Sequence, residues 1–540
     1  MQSKSQVTRR MLLKGGLGMA AVTAVSGPSQ VVGASRAATG PQAKPNANAG
    51  AGKSRTNILL LMCDQFRGDC LGADGNQAIH TPNFDRIAEE GVLFKHAYSS
   101  LPSCTPARAT LLTGLGAWRH GMLGYGRVAA KYTNEMPRML REAGYYTMGI
   151  GKMHWFPQRT THGFHKTLLD ESGRSETKGF VSDYRQWFKA QAPDLNPDAT
   201  GVGWNEYAAK PYALPERLHP TVWTGDRAVE FLNQYGSGAN GEKADQPFFL
   251  KVSFARPHSP YDPPQRFFDM YADADLPKAV VGKWAQRNAM KGKKLGASTP
   301  RGDLGAEQVR SSRQGYYGSV SFLDEQVGRI LATLEKQGLL EKTIILFTAD
   351  HGDMLGDHHL WRKTYAYEGS ARVPMIVRWP KGFTSAGRGR LLDEPVELRD
   401  VLPTFLDVAG VKVDPSRFDG RSVLGLVRGK AGNWRKYIDL EHSRCYWAEN
   451  QWCALTDGHI KYIYGAADGS EQLFDLDADP DELCDLASDT KHAKTLAKWR
   501  DRLVTHLAER GPDWVANGKL ALRPQKMLYG ANYPKANKQA

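Results

Sequence analysis

The sequence predicts an α/β protein, in which a largely parallel sheet lies between helices and a small antiparallel sheet follows near the C-terminus. Short apolar runs, typical of strands buried on both faces of a parallel sheet, recur between residues 57 and 379. Segments with helical spacing separate these runs, as in layered α/β folds. From about residue 430 the segments become short and are divided by turn residues, which favours an antiparallel sheet.

Each element of the large sheet follows from a local pattern. The predicted strands are the apolar runs 57–62, 146–150, 248–254, 343–348 and 373–379. A first helix is predicted to begin after Thr81, as N-cap, with Pro82 in its first turn, and to end at Gly91. Further helices are predicted at about 137–143 and 306–337, where apolar residues recur at helical spacing.

The C-terminal region predicts three short strands and one helix. The strands are expected at 452–455, 460–464 and 472–476, and the amphipathic stretch 493–507 is expected to be the helix. A chain of 540 residues exceeds the size of one ordinary hydrophobic core. We therefore expect a catalytic domain over residues 55–429 and a C-terminal subdomain over residues 430–540.

The N-terminus has the pattern of an export signal. Thr8-Arg9-Arg10-Met11-Leu12-Leu13-Lys14 is a twin-arginine pattern before a modestly apolar run. We expect a twin-arginine signal peptide over residues 1–34, a flexible lead-in over 35–54, and a periplasmic or secreted protein; a disordered basic tail is the alternative. No later stretch approaches the roughly 20 apolar residues of a membrane span.

Composition limits the classes of partner. The formal net charge of +14 favours anionic partners, but the Lys and Arg residues are scattered and no nucleic-acid-binding motif occurs. An acidic substrate is the better interpretation.

Six cysteines are too few for a disulfide scaffold in a chain of this length, although one or two bridges could form in an oxidising compartment.

Two polar pairs follow predicted strands of the large sheet. Asp64-Gln65 comes after the first strand, and Asp350-His351 comes after the strand at 343–348. Ligand sites of α/β folds lie beyond the carboxyl ends of the strands, so these side chains could converge on one hard cation. Each pair, taken alone, could equally be an ordinary strand-end cap.

One motif resembles the signature of a known protein family. The segment from Cys104 to Gly114, CTPARATLLTG, resembles the signature of the formylglycine-dependent (type I) sulfatases, C-x-P-x-R followed by Thr-Gly. In that family a separate formylglycine-generating enzyme oxidises the cysteine to 3-oxoalanine (formylglycine). The position is also physically suitable, because the free N–H groups at a helix N-terminus favour a bound anion.

The resemblance continues in the same order through residues 55–490. It includes TPNFDR at 81–86, GKMH at 151–154, PH at 257–258, TADHGDMLGDHHLWRK at 348–363, and LFDL at 473–476 with Asp479-Pro480 after it. The resemblance implies an alkaline-phosphatase-like α/β/α sandwich with a smaller C-terminal sheet.

The resemblance also implies a mechanism. The metal ligands would be Asp64, Gln65, Asp350, His351 and residue 104. The hydrated aldehyde made from Cys104 would attack sulfur, while Arg108 and Lys152 hold it. His258 and Lys363 would bind the sulfate and help the alcohol leave, and His154 would take a proton from the second hydroxyl so that sulfate departs.

One departure from the common family pattern affects metal and substrate. Many sulfatases carry Asp-Asp and Asp-Asn where this chain has Asp64-Gln65 and Asp350-His351. This variant resembles the branch that also contains choline sulfatases and phosphonate monoester and phosphodiester hydrolases. We expect Ca²⁺, with Mg²⁺ or Mn²⁺ as alternatives.

We therefore expect an exported sulfatase, with a sulfated small molecule or polysaccharide as candidate substrate. A phosphonate monoester or phosphodiester hydrolase of the same superfamily is the enzymatic alternative. A glycan-binding protein derived from a decayed sulfatase is the non-enzymatic one, although every expected catalytic position is filled.

Overall fold

The computed structural model describes residues 56–243 and 245–534, so the predicted signal peptide (1–34) and lead-in (35–54) lie outside the described residues. Within these ranges the strands are β1 (Asn57–Asp64), β2 (Gly91–Phe94), β3 (Ala97–Tyr98), β4 (Tyr146–Gly151), β5 (Lys166–Leu169), β6 (Phe248–Pro257), β7 (Thr343–Ala349), β8 (Met375–Arg378), β9 (Arg390–Leu392), β10 (Val396–Glu397), β11 (Ile438–His442), β12 (Trp452–Thr456), β13 (Ile460–Gly465), β14 (Glu471–Asp475), β15 (Val515–Ala516) and β16 (Lys519–Leu520). The helices are α1 (Pro82–Glu89), α2 (Cys104–Thr113), α3 (Ala117–His120), α4 (Met136–Glu142), α5 (Asp183–Gln191), α6 (Pro220–Gln234), α7 (Gln265–Asp269), α8 (Ala306–Lys336), α9 (Glu368–Ala371), α10 (Val401–Val408), α11 (Leu424–Val427) and α12 (Ala493–Leu507).

An eight-stranded sheet positions the polar pairs that the sequence singled out. Its strand order is β5-β4-β6-β1-β7-β8-β2-β9, and β8 alone runs against its neighbours β7 and β2. All other pairings in this sheet are parallel. The predicted α/β fold with a largely parallel sheet is therefore confirmed, and β1 lies between β6 and β7 near its centre.

Burial on both faces explains the continuous apolar sequences of the central strands. Every residue of β1, β6 and β7 is buried, so β1 and β7 show no alternation of apolar and polar residues, and the polar residues Lys251 and Ser253 of β6 are buried as well. Two groups of helices flank the sheet: α1, α6 and α7 pack against the 31-residue helix α8, and α4 and α10 pack against α2. This layering fits the expected sandwich.

A separate antiparallel sheet with the order β11-β12-β13-β14 lies in the C-terminal region, as predicted. Its first strand, β11, was not predicted from the sequence. Helix α12 buries Leu496, Trp499 and Leu503 in an apolar cluster that also contains Leu101 and Leu123 from the region around α2. The division at residues 429 and 430 stays a prediction.

Two local predictions need correction. The run at 373–379 forms a strand only over Met375–Arg378, and this strand is antiparallel to β7. Thr81 stands at the N-cap of α1, but its hydroxyl donates to Asp85 and accepts from Gly72 N–H instead of capping the helix. The first N–H groups of α1 donate to the carboxylate of Asp324 in α8, at 2.8–3.1 Å.

Among the described helices, none combines the length and apolar character needed to cross a membrane.

Candidate active site

The carboxyl ends of β1 and β7 meet the N-terminus of α2. Asp64 is the last residue of β1, Asp350 and His351 follow β7, and Cys104 is the first residue of α2. All four side chains are buried, and one ligand atom from each lies within 4.8 Å of the others. The structure therefore brings together two strand ends and the motif cysteine.

Each of the two carboxylates points one oxygen into the cluster and the other toward a cation. Asp64 Oδ2 pairs with Lys152 Nζ and lies 3.3 Å from an Arg108 nitrogen, while Asp350 Oδ2 accepts from Arg108 Nε at 2.8 Å. The Oδ1 atoms of both aspartates lie 3.6 Å from His351 Nε2. The inward-facing oxygens thus remain available to a ligand.

The tautomer of His351 follows from its neighbour. Its Nδ1 lies 2.8 Å from the carbonyl oxygen of Gly352, which can only accept, so Nδ1 carries a proton. In the neutral ring Nε2 then has a lone pair directed at the aspartates and at Cys104 Sγ, 3.2 Å away. Burial lowers the pKa of His351, but Asp350 and Cys104 raise it above its ordinary value. Two carboxylate oxygens and an imidazole nitrogen are a donor set that fits a divalent cation.

Arg108 joins the two strand ends. Its side chain is fully buried and also donates to Ser253 Oγ at 3.1 Å and to the Lys152 carbonyl. Burial raises the pKa of Asp64, but Lys152, His258 and Arg108 hold it well below the ordinary value, so this carboxyl group stays ionised.

Cys104 lies beside this charged network. Its thiol is 3.6 Å from Asp64 Oδ1. Burial and Asp64 raise its pKa, but Lys363, His351 and Lys152 bring the pKa below the ordinary value of a thiol.

Gln65 connects the site to Lys363. Its backbone has a φ of +70° and its N–H donates to Asp350 Oδ1 at 3.1 Å. Its side-chain nitrogen donates to Asp353 at 2.6 Å, and its side-chain oxygen accepts from Lys363 Nζ at 2.7 Å. The amide therefore fixes the position of Lys363 at the edge of the cluster.

The two predicted histidines occupy different positions. His258 donates its backbone N–H to the carbonyl oxygen of Asp64 (3.1 Å) and its Nδ1–H to that of Ser259 (2.7 Å). Its ring stacks on Trp204, with centroids 5.3 Å apart. Among the described residues, no hydrogen bond or ion pair joins His154 to the candidate metal-binding cluster; its Nε2 lies 3.4 Å from the Tyr125 hydroxyl. Burial lowers the pKa of both rings well below the ordinary value, with help from Lys363 at His258 and from Arg174 at His154.

The structure thus connects nine of the ten predicted site residues through direct contacts, with His154 set apart. Three surrounding residues were missed: Ser253, which accepts from Arg108; Asp353, which accepts from Gln65; and Glu171, which accepts from the His154 N–H at 3.0 Å. The segment around Ser253 and His258 was recognised, but nothing in its spacing indicated that the serine would face Arg108.

Comparison with known proteins identifies the class to which this fold and site belong. The Sulfatase family model matches residues 56–411, and the model for the C-terminal region of N-sulphoglucosamine sulphohydrolase matches residues 356–509. The chain belongs to the sulfatase family. It is a sulfuric ester hydrolase, and membership implies a divalent metal and formylglycine.

Individual relatives cover almost all of the described chain. An arylsulfatase of Clostridium perfringens is 37% identical, over 86% of this chain and 97% of the relative. A choline-sulfatase of Rhizobium meliloti is 32% identical, over 89% and 93%. The solved phosphonate monoester hydrolase of Agrobacterium radiobacter has a TM-score of 0.70 and 25% identity, over 84% of this chain and 96% of that one. The more similar sequences are sulfatases, so the comparisons do not favour the phosphonate alternative.

Proposed function

We propose that this enzyme hydrolyses a sulfate ester with a formylglycine made from Cys104, beside a divalent cation held by Asp64, Asp350 and His351, with Gln65 as a further ligand. The observation that carries the proposal is the convergence of the two inward carboxylate oxygens, the His351 lone pair and the Cys104 side chain. Calcium is the proposed cation because it is the usual metal of the wider family. Magnesium and manganese are alternatives, because the nitrogen ligand and the small number of charged ligands are less typical of calcium.

The formylglycine and the cation would supply distinct chemistry. The hydrated aldehyde offers an oxygen nucleophile and a second hydroxyl group, which a thiol lacks. The cation would lower the pKa of an adjacent oxygen and balance negative charge. A separate maturation enzyme would carry out the oxidation of Cys104.

Arg108 and Lys152 would orient the nucleophile side of the site. Lys152 is fully buried and pairs with Asp64, and Arg108 holds both aspartates. Their side chains are fixed by several partners, so they need little rearrangement when negative charge develops. This supports a role in holding residue 104 and neutralising its charge.

His258 and Lys363 would serve the sulfate and the leaving alcohol. Lys363 contributes to the low pKa of His258. A bound sulfate group would offset that positive charge and raise the pKa of His258, so its Nε2 could carry the proton that the leaving oxygen needs. Lys363 would bind a sulfate oxygen directly.

His154 would act after the alcohol has left. Burial, Arg174 and Lys152 keep the pKa of His154 well below its ordinary value, so the ring is neutral and can accept a proton. In the described part of the chain its Nδ1 has no hydrogen-bond partner. This supports its role as the base that deprotonates the second hydroxyl and releases sulfate.

The decisive test combines modification and turnover. Mass spectrometry of the peptide containing Cys104, from protein matured in its native host, should give the mass of 3-oxoalanine. C104A should abolish aryl sulfate hydrolysis, whereas C70A, at another buried cysteine, should retain it. Unmodified Cys104 in fully active protein, or activity in C104A, would refute the mechanism. A faster rate with an aryl phosphodiester than with an aryl sulfate would instead favour the alternative substrate class.

We further propose export by the twin-arginine route, supported by Arg9-Arg10 before an apolar run. Replacing both arginines with lysine should leave the protein in the cytoplasm of the native host. Unchanged export of that variant would refute this assignment.

A further inference from the structure

A cavity of about 330 Å³ lies beside the candidate active site. Trp204 lines the cavity and is 44% exposed, and its ring stacks on His258 with centroids 5.3 Å apart. The Arg174 guanidinium also lines the cavity and lies 5.3 Å from the Trp204 ring centroid. Trp204 therefore links the cavity to the residue that we assign to the leaving alcohol.

The charge of this cavity is unevenly balanced. Three arginines line it, and two have carboxylate partners: Arg185 pairs with Asp198, and Arg256 pairs with Asp262 at 2.8 Å. Arg174 forms no ion pair within residues 56–243 and 245–534, and its NH1 nitrogen is buried without a hydrogen-bond partner. Burial lowers the pKa of Arg174, but Tyr125, Cys104, Asp64 and Glu171 raise it above the ordinary value, so acidic groups act on this cation without forming an ion pair with it.

Asp170 is the other carboxylate that lines the cavity, and it does not neutralise Arg174. One of its oxygens accepts from Ser172 N–H at 3.0 Å. Burial raises its pKa, and among the cations that act against this rise Arg256 comes first.

We propose that Arg174 binds a second anionic group, a carboxylate or a second sulfate, on the alcohol portion of the substrate. This inference rests on the proposed function, because it places the scissile sulfate beside His258. Arg174 is half-buried, its NH1 nitrogen is buried without a hydrogen-bond partner, and a carboxylate or sulfate would supply the missing acceptor. The two contacts of 5.3 Å set a short span between His258 and Arg174, which suits two groups on one ring or on adjacent rings.

The same geometry excludes a cationic leaving group as the preferred substrate. A quaternary ammonium group in this cavity would face the unpaired Arg174 in a partly buried setting, where repulsion between like charges is strong. The enzyme should therefore discriminate between sulfate esters by the charge of a remote substituent.

The test compares four sulfate esters of one 7-hydroxycoumarin core, whose 4-substituents are methyl, carboxymethyl, sulfomethyl or trimethylammoniomethyl. The readout is the ratio of kcat/KM for each charged ester to that for the methyl ester, measured on the same preparation. A general loss of activity cancels in this ratio. A charged hydrogen bond contributes about 1.5–3 kcal/mol, so we expect at least one anionic ester to be favoured about 10- to 100-fold and the cationic ester to be disfavoured.

R174Q should lower the anionic preference about tenfold or more, and R174K should retain part of it. R185Q is the matched control, because Arg185 lines the same cavity but already has a carboxylate partner; its ratios should stay within about twofold of wild type. The relative rates of the carboxymethyl and sulfomethyl esters distinguish a carboxylate from a second sulfate. A wild-type ratio near one, or an equal effect of R174Q on all four esters, would overturn the proposal.

A binding measurement separates this inference from the proposed function. Calorimetry with sulfate-free 7-hydroxycoumarin-4-acetate needs no turnover, and R174Q should weaken its binding about tenfold. Equal binding by wild type and R174Q, or no binding by wild type at millimolar concentration, would contradict the Arg174 site. Arg174-dependent binding without hydrolysis of any ester would instead refute the proposed sulfatase mechanism while supporting the cavity.

Discussion

Replacing Arg108 with methionine is expected to disconnect the two carboxylates of the active site. The guanidinium is fully buried and contacts Asp350 at 2.8 Å and Asp64 at 3.3 Å. Methionine is unbranched and apolar, so it fills much of the same volume but cannot donate a hydrogen bond. In R108M, Asp350 therefore loses its cation, while Asp64 keeps Lys152 as a partner.

The magnitude follows from these contacts. Removing one partner of a buried ion pair costs about 3–5 kcal/mol, and each hydrogen bond to a charged group contributes about 1.5–3 kcal/mol. Because Asp64 retains one cation, we expect a loss of about 3 kcal/mol in the free energy of unfolding. A displacement of the catalytic groups by about 1 Å can lower the rate 100-fold, so kcat/KM should fall by about that factor or more.

The matched control is R378M. Arg378 is also buried and pairs with Glu90 at 3.0 Å and with Glu341, but it lies opposite Ile345, near the start of β7, whereas Asp350 follows the end of that strand. R378M should also lose free energy of unfolding, although less than R108M because Glu90 and Glu341 are partly exposed, and should keep kcat/KM within about threefold. Urea unfolding followed by tryptophan fluorescence and aryl sulfate turnover below the unfolding transition provide both readouts. Activity of R108M within threefold of wild type, or an equal loss of kcat/KM in R378M, would refute the reasoning.

Three further predictions concern pH, capping and the cation. Burial and Arg399 lower the pKa of His120 to about 3, and its Nδ1 accepts from Met122 N–H, so the folded protein excludes the proton that the unfolded chain binds below pH 6.5. The contribution of neutral His120 to the free energy of unfolding is thus fully present above pH 6.5, and about 2 kcal/mol of it is lost from pH 7 to pH 5. H120Q should remove this part of the dependence of the unfolding free energy on pH, as measured by urea titrations. An unchanged dependence would contradict the prediction. D324A should destabilise the protein by about 2–3 kcal/mol, because α1 loses its cap, and should leave KM unchanged. A shifted KM would contradict this prediction. Chelation with EDTA should lower turnover at least tenfold, about 1.4 kcal/mol, with recovery in calcium; recovery only with manganese or magnesium would reassign the cation.

The central strands could be predicted because burial on both faces leaves a clear record in the sequence. β1 and β7 are largely continuous apolar runs, β6 is apolar except at Lys251, Ser253 and Arg256, and all three were found. The direction of β8 left no such record, because a short buried run looks the same whether it is parallel or antiparallel to its neighbour. The capping of α1 could not be predicted either, because Asp324, which accepts from the Asn83 N–H, lies 241 residues away in the sequence.

The site could be predicted in part for a similar reason. Asp64 and Asp350 directly follow buried strands, and the carboxyl ends of parallel strands meet at one edge of a sheet. Arg174 lies in an irregular segment between β5 and α5, where no periodicity or motif marks it. What distinguishes Arg174 from Arg185 is the absence of a carboxylate partner in the described structure, and only three-dimensional packing reveals that.

The charge of the assembled site gives a reason for its reaction class. The site contains two aspartates and three cationic side chains, those of Arg108, Lys152 and Lys363. Adding a divalent cation makes this centre strongly positive, whereas attack of an oxyanion on a sulfate monoester gathers negative charge at the same place. Because the side chains are held by buried partners before substrate arrives, this positive field is preorganised for the transition state. A sulfate ester with a second anion on its alcohol would then use Arg174, a further cation that forms no ion pair in the described part of the chain.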